Sequence, residues 1–377
     1  MPAARRGTDA SEDGGGKIVG RPALRGSMRV VYLLNGSALS GGVKVVYQQA
    51  RALRRLGLDV EVLSPEPPSP WFPEATAFTR QVESLEPAEV GRAEVVIGTM
   101  WHTVPVAAAV EGAVGAHLCQ CYEANWDGLA HLRSEIDAVY RLPTLKLAVS
   151  PHLTEVIQER FRQRAIWIPQ AFEPGVFTPP EVDRPDDGTL RVLVAGQWDL
   201  SVKGVEWGLE AMAPLAEEGW LRLVRLSPDC PPPELDAFPD AERHVAVPPA
   251  RVPKIVQSVD VYVGLSDEVE GFGLPALEAM GCTRPCVLTD IGATRALDPS
   301  GSASIKIPHG DGKALRSALR RLRDDRDLRR RLGIGGRRIA EAFTEERTAR
   351  ALVAAFEGVL RRRRLPQWLR RGLLRRT

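Results

Sequence analysis

Apolar positions in this 377-residue chain fall into two series of short runs, most of them followed by a stripe of helical spacing. The first run, Met28–Leu34 (MRVVYLL), is continuous and of strand length, the pattern of a strand buried on both faces. After a glycine-bearing loop, Asn35–Gly42, the positions Val46, Ala50, Leu53 and Gly57 fall at steps of four, three and four. That spacing predicts an amphipathic helix, ended by Gly57 in a left-handed cap. Leu58–Leu63 (LDVEVL) then alternates with the period of a strand. The unit is βαβ, and a helical crossover makes its two strands parallel. Further strands are predicted at Ala93–Gly98, Ala116–Cys121, Leu145–Val149 and Ala165–Pro169.

From Gln170 to Gly188 the periodicity stops and Pro, Asp and Gly accumulate, the composition of a linker. A second series opens at Leu190–Ala195 (LRVLVA). It continues through a helix to about Ala216 and strands at Leu221–Leu226, His244–Val247, Val259–Leu265 and Cys286–Thr289. The expected fold class is α/β, with two doubly wound Rossmann-like domains at 28–172 and 188–342. A disordered leader is expected at 1–27 and a terminal helix with a basic tail at 343–377. In such sheets ligands bind beyond the carboxyl ends of the strands.

Composition narrows the function classes. Hydrophobic residues make up 44% and charged residues 26%, the balance of a globular chain. No apolar run approaches the ~18 residues of a membrane-spanning helix. The leader lacks the apolar stretch of a signal peptide, which points to the cytoplasm. The net charge of +2 conceals an asymmetry: eight arginines and no acid lie in 361–377, leaving −6 for the chain before them. An acidic body is unlike a duplex-binding domain, so no nucleic-acid partner is expected. Leu365, Trp368, Leu369 and Leu373 among the tail arginines suit a peripheral contact with anionic lipid. The five cysteines (Cys119, Cys121, Cys230, Cys282 and Cys286) lack zinc spacing and are odd in number, so they read as reduced and structural. The D-x-D string Asp325-Arg326-Asp327 lies in an Arg-rich helical run and reads as a solvated face, and no metal is expected.

The chemistry concentrates in Ser266–Met280 (SDEVEGFGLPALEAM), which follows a strand and opens a helix. Pro275 suits a first helical turn, and Gly271 and Gly273 let backbone approach a ligand closely. The N–H groups of Gly273 to Leu277 are expected to face an anion at the positive end of the helix. Glu270 and Glu278 bracket this turn. Carboxylates beside an anion fit sugar hydroxyls better than phosphate, which they repel. The full string EGFGLPALEAMGC resembles the nucleotide-sugar motif of the GT-B retaining glycosyltransferases, specifically glycosyltransferase family 4 (glycosyl transferases group 1).

The resemblance runs over about residues 28–360, and it implies a GT-B fold of two Rossmann-like domains facing each other across a cleft. Asn35–Gly42 (NGSALSGG) looks like the family's glycine loop, with Gly41 and Gly42 offering backbone N–H groups to the ligand. Ala195–Gly204 (AGQWDLSVKG) resembles the loop that carries an Arg and then a Lys-Gly pair. Lys203 matches the Lys, which balances the departing diphosphate; Gln197 stands where the Arg is missing, and Arg225 is a candidate substitute. His244–Val247 and the following Pro248–Val252 match in position the stretch that holds the base through backbone groups. His117–Trp126 (HLCQCYEANW) looks like the corresponding segment of a rhamnosyltransferase branch, with Cys121 in place of its Asp. There Glu123 would bond the sugar or relieve the acceptor hydroxyl of its proton. His102 and His117 read as structural. The segment from Phe343 resembles the terminal helix that packs back on the first domain.

These likenesses imply a retaining, metal-independent transfer of a sugar from a nucleotide diphosphate sugar to a hydroxyl acceptor, with the donor as co-substrate and no cofactor. Catalytic roles fall on Glu123, Glu270 and Lys203. Donor binding falls on Gly41, Gly42, Lys203, Val247, Glu270, Phe272, Gly273, Leu274 and Glu278. The alternatives are a sugar-nucleotide epimerase on the same scaffold and a non-catalytic sugar-nucleotide binding protein. An NAD oxidoreductase is disfavoured, since no G-x-G-x-x-G follows either first strand.

Overall fold

The computed structural model describes residues 28–185 and 187–364; the expected leader and most of the basic tail lie outside the described residues. The first half runs β1 (Arg29–Leu33), α1 (Gly41–Arg55), β2 (Asp59–Ser64), β3 (Thr79–Gln81), α2 (Pro87–Val90), β4 (Val95–Gly98), α3 (Val104–Ala109), β5 (Val114–Cys119), α4 (Arg133–Tyr140), β6 (Leu145–Ala148), α5 (Pro151–Phe161) and β7 (Ala165–Trp167). Its strands form one parallel sheet in the order β3-β2-β1-β4-β5-β6-β7. In β1, Val30 and Tyr32 pack into one apolar cluster and Val31 and Leu33 into another. A strand buried on both faces requires helices on both sides of its sheet.

The second half runs β8 (Leu190–Ala195), α6 (Val205–Glu217), β9 (Leu221–Ser227), α7 (Pro232–Ala237), β10 (Glu242–Val245), α8 (Val252–Gln257), β11 (Val261–Gly264), α9 (Leu274–Gly281), β12 (Cys286–Thr289), α10 (Gly292–Leu297), β13 (Ser304–Ile307), α11 (Gly312–Asp324) and α12 (Arg326–Glu341). This sheet is also parallel, in the order β10-β9-β8-β11-β12-β13. Two strands escape the apolar pattern, β3 (TRQ) and β13 (SIKI). Both lie at sheet edges, where short, polar strands are the rule. Each sheet reverses its order beside its first strand, between β1 and β4 and between β8 and β11, and these are the switch points where ligands bind.

The last helix, α13 (Glu345–Arg364), returns to the first half and lies along α1. The Phe172 N–H donates to the Phe343 carbonyl at 3.0 Å, and the Thr348 hydroxyl donates to the Pro169 carbonyl at 2.8 Å. Arg51 on α1 pairs with Glu173 at 2.7 Å and also with Glu345. Phe172, Phe177, Phe272 and Phe343 carry one apolar cluster across this double crossing, with the Phe272 and Phe343 rings 5.4 Å apart.

Arg225 braces the second half from within. It is 1% exposed, meets Glu234 at 2.7 and 3.1 Å, and donates to the Val194 and Gly196 carbonyls at 2.6 and 2.8 Å. This corrects its candidacy as a second phosphate cation: the guanidinium is committed inside the domain, where it ties the end of β8. Because removing one member of a buried pair strands the other charge, Glu234→Ala is expected to cost about 3–5 kcal/mol of second-domain stability in urea denaturation, and a loss under about 1 kcal/mol refutes the brace.

Candidate active site

The loops beyond the carboxyl ends of the two sheets meet, and glycine sets how closely. A Cβ added to Gly271 would fall 1.7 Å from the carbonyl oxygen of Gln120, just beyond β5, so only glycine permits this contact between the halves. The Gln120 side chain also reaches the Gly42 carbonyl at 3.4 Å. Ser40 caps α1 by accepting from the Val43 N–H at 3.3 Å, and Gly273 caps α9 with φ of 89°. A Cβ on Gly41 would lie 3.8 Å from Leu274 Cδ1. The amino termini of α1 and α9, one from each half, therefore abut with both positive ends at the cleft.

Lys203 is aimed by its neighbour. Gly204 has φ of 60°, and a Cβ there would fall 2.3 Å from the Leu265 carbonyl, so glycine lets this loop press against the end of β11. Lys203 Nζ then meets Glu270 Oε2 at 2.6 Å, and Ser266 Oγ donates to the same oxygen at 3.0 Å. Burial pushes the Glu270 carboxyl up, but the Lys203 charge, the bonds from Lys203 and Ser266, and one from the Phe272 N–H outweigh it and hold the carboxyl below its ordinary value. Glu278 is paired from the opposite half: Lys44 Nζ, on the first turn of α1, lies 2.6 Å from Glu278 Oε1 and 3.9 Å from Glu173. Burial lowers the Lys44 pKa, but Glu278 and Glu173 more than offset it, so the ammonium stays charged. Both carboxylates of the motif thus face the cleft, each against a lysine.

The structure narrows the expected row of amides. The N–H groups of Ala276 and Leu277 turn back on the Gly273 carbonyl at 3.0 and 3.3 Å, and Pro275 has none. Those left for an anion are on Gly273 and Leu274.

Glu123 is a further correction. The expectation set its carboxylate at the reacting centre, but it is 2% exposed and turned into the first half. Its Oε2 accepts from the Tyr140 hydroxyl at 2.7 Å and its Oε1 from the Trp101 N–H at 3.2 Å, while its carbonyl accepts from the Trp126 N–H at 3.0 Å. Glu123 therefore ties together two tryptophan-bearing turns from behind the cleft wall. Cys121 lies within electrostatic reach of both Glu270 and Lys203, and burial pushes its thiol well up, so it is neutral there.

Phe272 is buried against Phe343, and Val247 is partly exposed just beyond β10. Gln197 turns its amide toward Asp229 at 3.4 Å. Asp325 caps α12, its carboxylate accepting from the Leu328 N–H at 2.7 Å. His117 is fully buried with its ring 4.6 Å from that of Tyr140, and burial holds it neutral. Among the described residues, no group of three or more His, Cys, Asp or Glu is placed to hold a metal ion.

Sequence reasoning missed Lys44 and Gln120. The signal for Lys44 was present: Lys44, Gln48, Arg51 and Arg55 form a polar stripe at steps of four, three and four on α1. Gln48, Arg51 and Arg55 reach Glu173 or Glu345 at the crossing, and Lys44 reaches Glu173 and Glu278.

Two doubly wound parallel sheets meeting at their switch points define the GT-B fold. The structure is similar to sucrose-phosphate synthase from Thermosynechococcus elongatus, with a TM-score of 0.73 and 18% identity over 88% of this chain and 99% of that one. It is also similar to Anabaena HepE in complex with UDP-glucose, with a TM-score of 0.70 and 14% identity over 88% of this chain and all of that one. Residues 189–325, in the second domain, match the family described as Glycosyl transferases group 1. The D-inositol 3-phosphate glycosyltransferase of Corynebacterium urealyticum is 31% identical over 179 residues, 47% of this chain and 37% of that protein. The matches to the first curated relatives span 27% to 46% of the relatives' own lengths.

Two outcomes are expected. Gly271→Ala forces the Gln120 carbonyl away and opens the cleft, read as a larger radius of gyration in small-angle scattering; an unchanged radius contradicts the contact. Burial raises the Glu123 carboxyl above its ordinary 4.5 more than its hydrogen bonds lower it. Its stabilising effect is therefore fully present below the unfolded value and is lost as pH rises through the folded one. Glu123→Gln should remove that fall from melting curves taken between pH 4.5 and 8, and a wild-type profile in the variant argues against it.

Proposed function

We propose that the chain is a retaining, metal-independent glycosyltransferase that moves a sugar from a nucleotide diphosphate sugar to a hydroxyl acceptor. The observation that carries this reading is the pair of cleft carboxylates, Glu270 and Glu278, each held by an ammonium across a turn with free amides. The donor's hydroxyls replace the lysines as partners of the two carboxylates. Its diphosphate lies against the Gly273 and Leu274 amides, the Gly41–Gly42 turn and Lys203, and its base lies toward Val247.

The reaction is a same-face displacement. The bond from the anomeric carbon to the diphosphate oxygen breaks, the acceptor oxygen bonds to that carbon, and the acceptor proton passes to the departing diphosphate. Lys203 and the helix termini stabilise the charge that develops on the leaving group, the part a metal plays elsewhere. The Gln120–Gly271 contact closes the cleft against water, which would otherwise hydrolyse the donor. Glu123 acts as a positioning residue by fixing the Trp101 and Trp126 turns.

No helix among the described residues is long and apolar enough to cross a membrane. The location that fits this reading is the cytoplasm, with the basic tail as the contact for anionic lipid.

The test is a panel of nucleotide sugars with hydroxyl acceptors, following product, donor hydrolysis and anomeric configuration. Lys203→Met and Glu278→Ala should each lower kcat/KM roughly 100-fold or more, as losing a group aimed at developing charge or at the donor does, and EDTA should leave turnover unchanged. Unaltered donor affinity and turnover in both variants would defeat the assignment.

A further inference from the structure

The loop after β8 leaves the site one cation short: Gln197 stands where the resemblance places an arginine, and Arg225 is bound to Glu234 and two carbonyls inside the domain. The first half supplies another. Lys44 is three positions after Gly41, whose neighbour across the cleft is Leu274, one of the two residues with a free amide. Its partner Glu278 is four positions after Leu274. Lys44 and Glu278 are therefore stacked one turn behind the contact where the two helix termini abut. The other cations of the α1 stripe are engaged elsewhere, Arg51 with Glu74, Glu173 and Glu345 and Arg55 with Glu345.

We propose that Lys44 is the second diphosphate cation of the site, delivered from the first domain. This rests on reading the cleft as a nucleotide diphosphate sugar site, and its logic is one cation for each phosphate. Lys44 and Lys203 cancel Glu278 and Glu270, so the empty site is neutral in these four groups. A diphosphate donor brings two negative charges together with neutral hydroxyls. As the neutral hydroxyls donate to the two carboxylates, the two ammonium groups turn to the two phosphates, so every charged group keeps a hydrogen-bonding partner and each phosphate gains a cation in the partly buried cleft. With Lys203 alone, one phosphate would sit beside two carboxylates uncompensated, which low dielectric penalises. Because Lys44 belongs to the opposite domain, the exchange also ties donor binding to closure.

The experiment uses the full chain and the probes UDP, GDP, ADP and dTDP with their monophosphates, screened by thermal shift and then titrated calorimetrically with the best nucleotide. Lys44→Met, which keeps length and loses charge, should weaken the diphosphate roughly tenfold or more, the worth of a charge-assisted bond, while monophosphate affinity changes by less than about threefold. Lys44→Arg should restore most of the loss, and should do so even if the Met variant folds poorly. Equal weakening of diphosphate and monophosphate makes Lys44 a closure latch only and overturns the proposal. A loss in Lys203→Met with none in Lys44→Met also overturns it while leaving the donor site standing. No nucleotide effect in either variant removes both readings.

Discussion

The chemistry of this molecule depends on one backbone contact, the Gln120 carbonyl resting against Gly271. No side chain intervenes, so the separation of the two halves is set by main-chain van der Waals radii. The other approaches follow from it. Gly41 comes against Leu274, the Gln120 amide reaches Gly42, and two helix amino termini converge from opposite domains. An anion at that point would be held by both halves at once. Partial burial there strengthens the interactions among the charges that line the cleft.

The two lysine–carboxylate pairs are the electrostatic counterpart of that geometry. Unpaired carboxylates in a partly buried cleft would take up protons or lose stability. Lys203 instead holds Glu270 below its ordinary range, and Lys44 approaches Glu278 at 2.6 Å. An ionised carboxylate is an acceptor only, which suits it to the hydroxyls of a sugar. Cys121 does the opposite nearby: half-buried and neutral, it adds no charge where an acid stands in the resembled branch.

Local pattern made much of this legible. The unbroken run of β1, the apolar stripe of α1 and the string around Glu270 and Glu278 each carry their meaning within a few residues. What stayed hidden depends on distant partners. β3 and β13 are edge strands, too short and too polar to read as strands alone. The burial of Glu123 is dictated by Tyr140 and by the turn at Trp101, and nothing beside it in the chain says so. Arg225 looked available because Glu234, its partner, sits on a different element. Lys44 stood in plain view on a polar stripe, which ordinarily means solvent. Only the arrival of the second domain turns that stripe into an interface.

The return of α13 to the first half has a consequence for how the chain assembles. The surface of α1 that this helix covers belongs to the first domain, yet its cover follows the whole second domain in the chain. During synthesis the first sheet must wait, with that flank bare, until the second domain has emerged. A break at the linker would not yield two finished pieces either, because the first would lack its outer wall and the second would carry it as a dangling arm. The two domains are separate as sheets, but α13 makes the finished surface of the first depend on chain that follows the second.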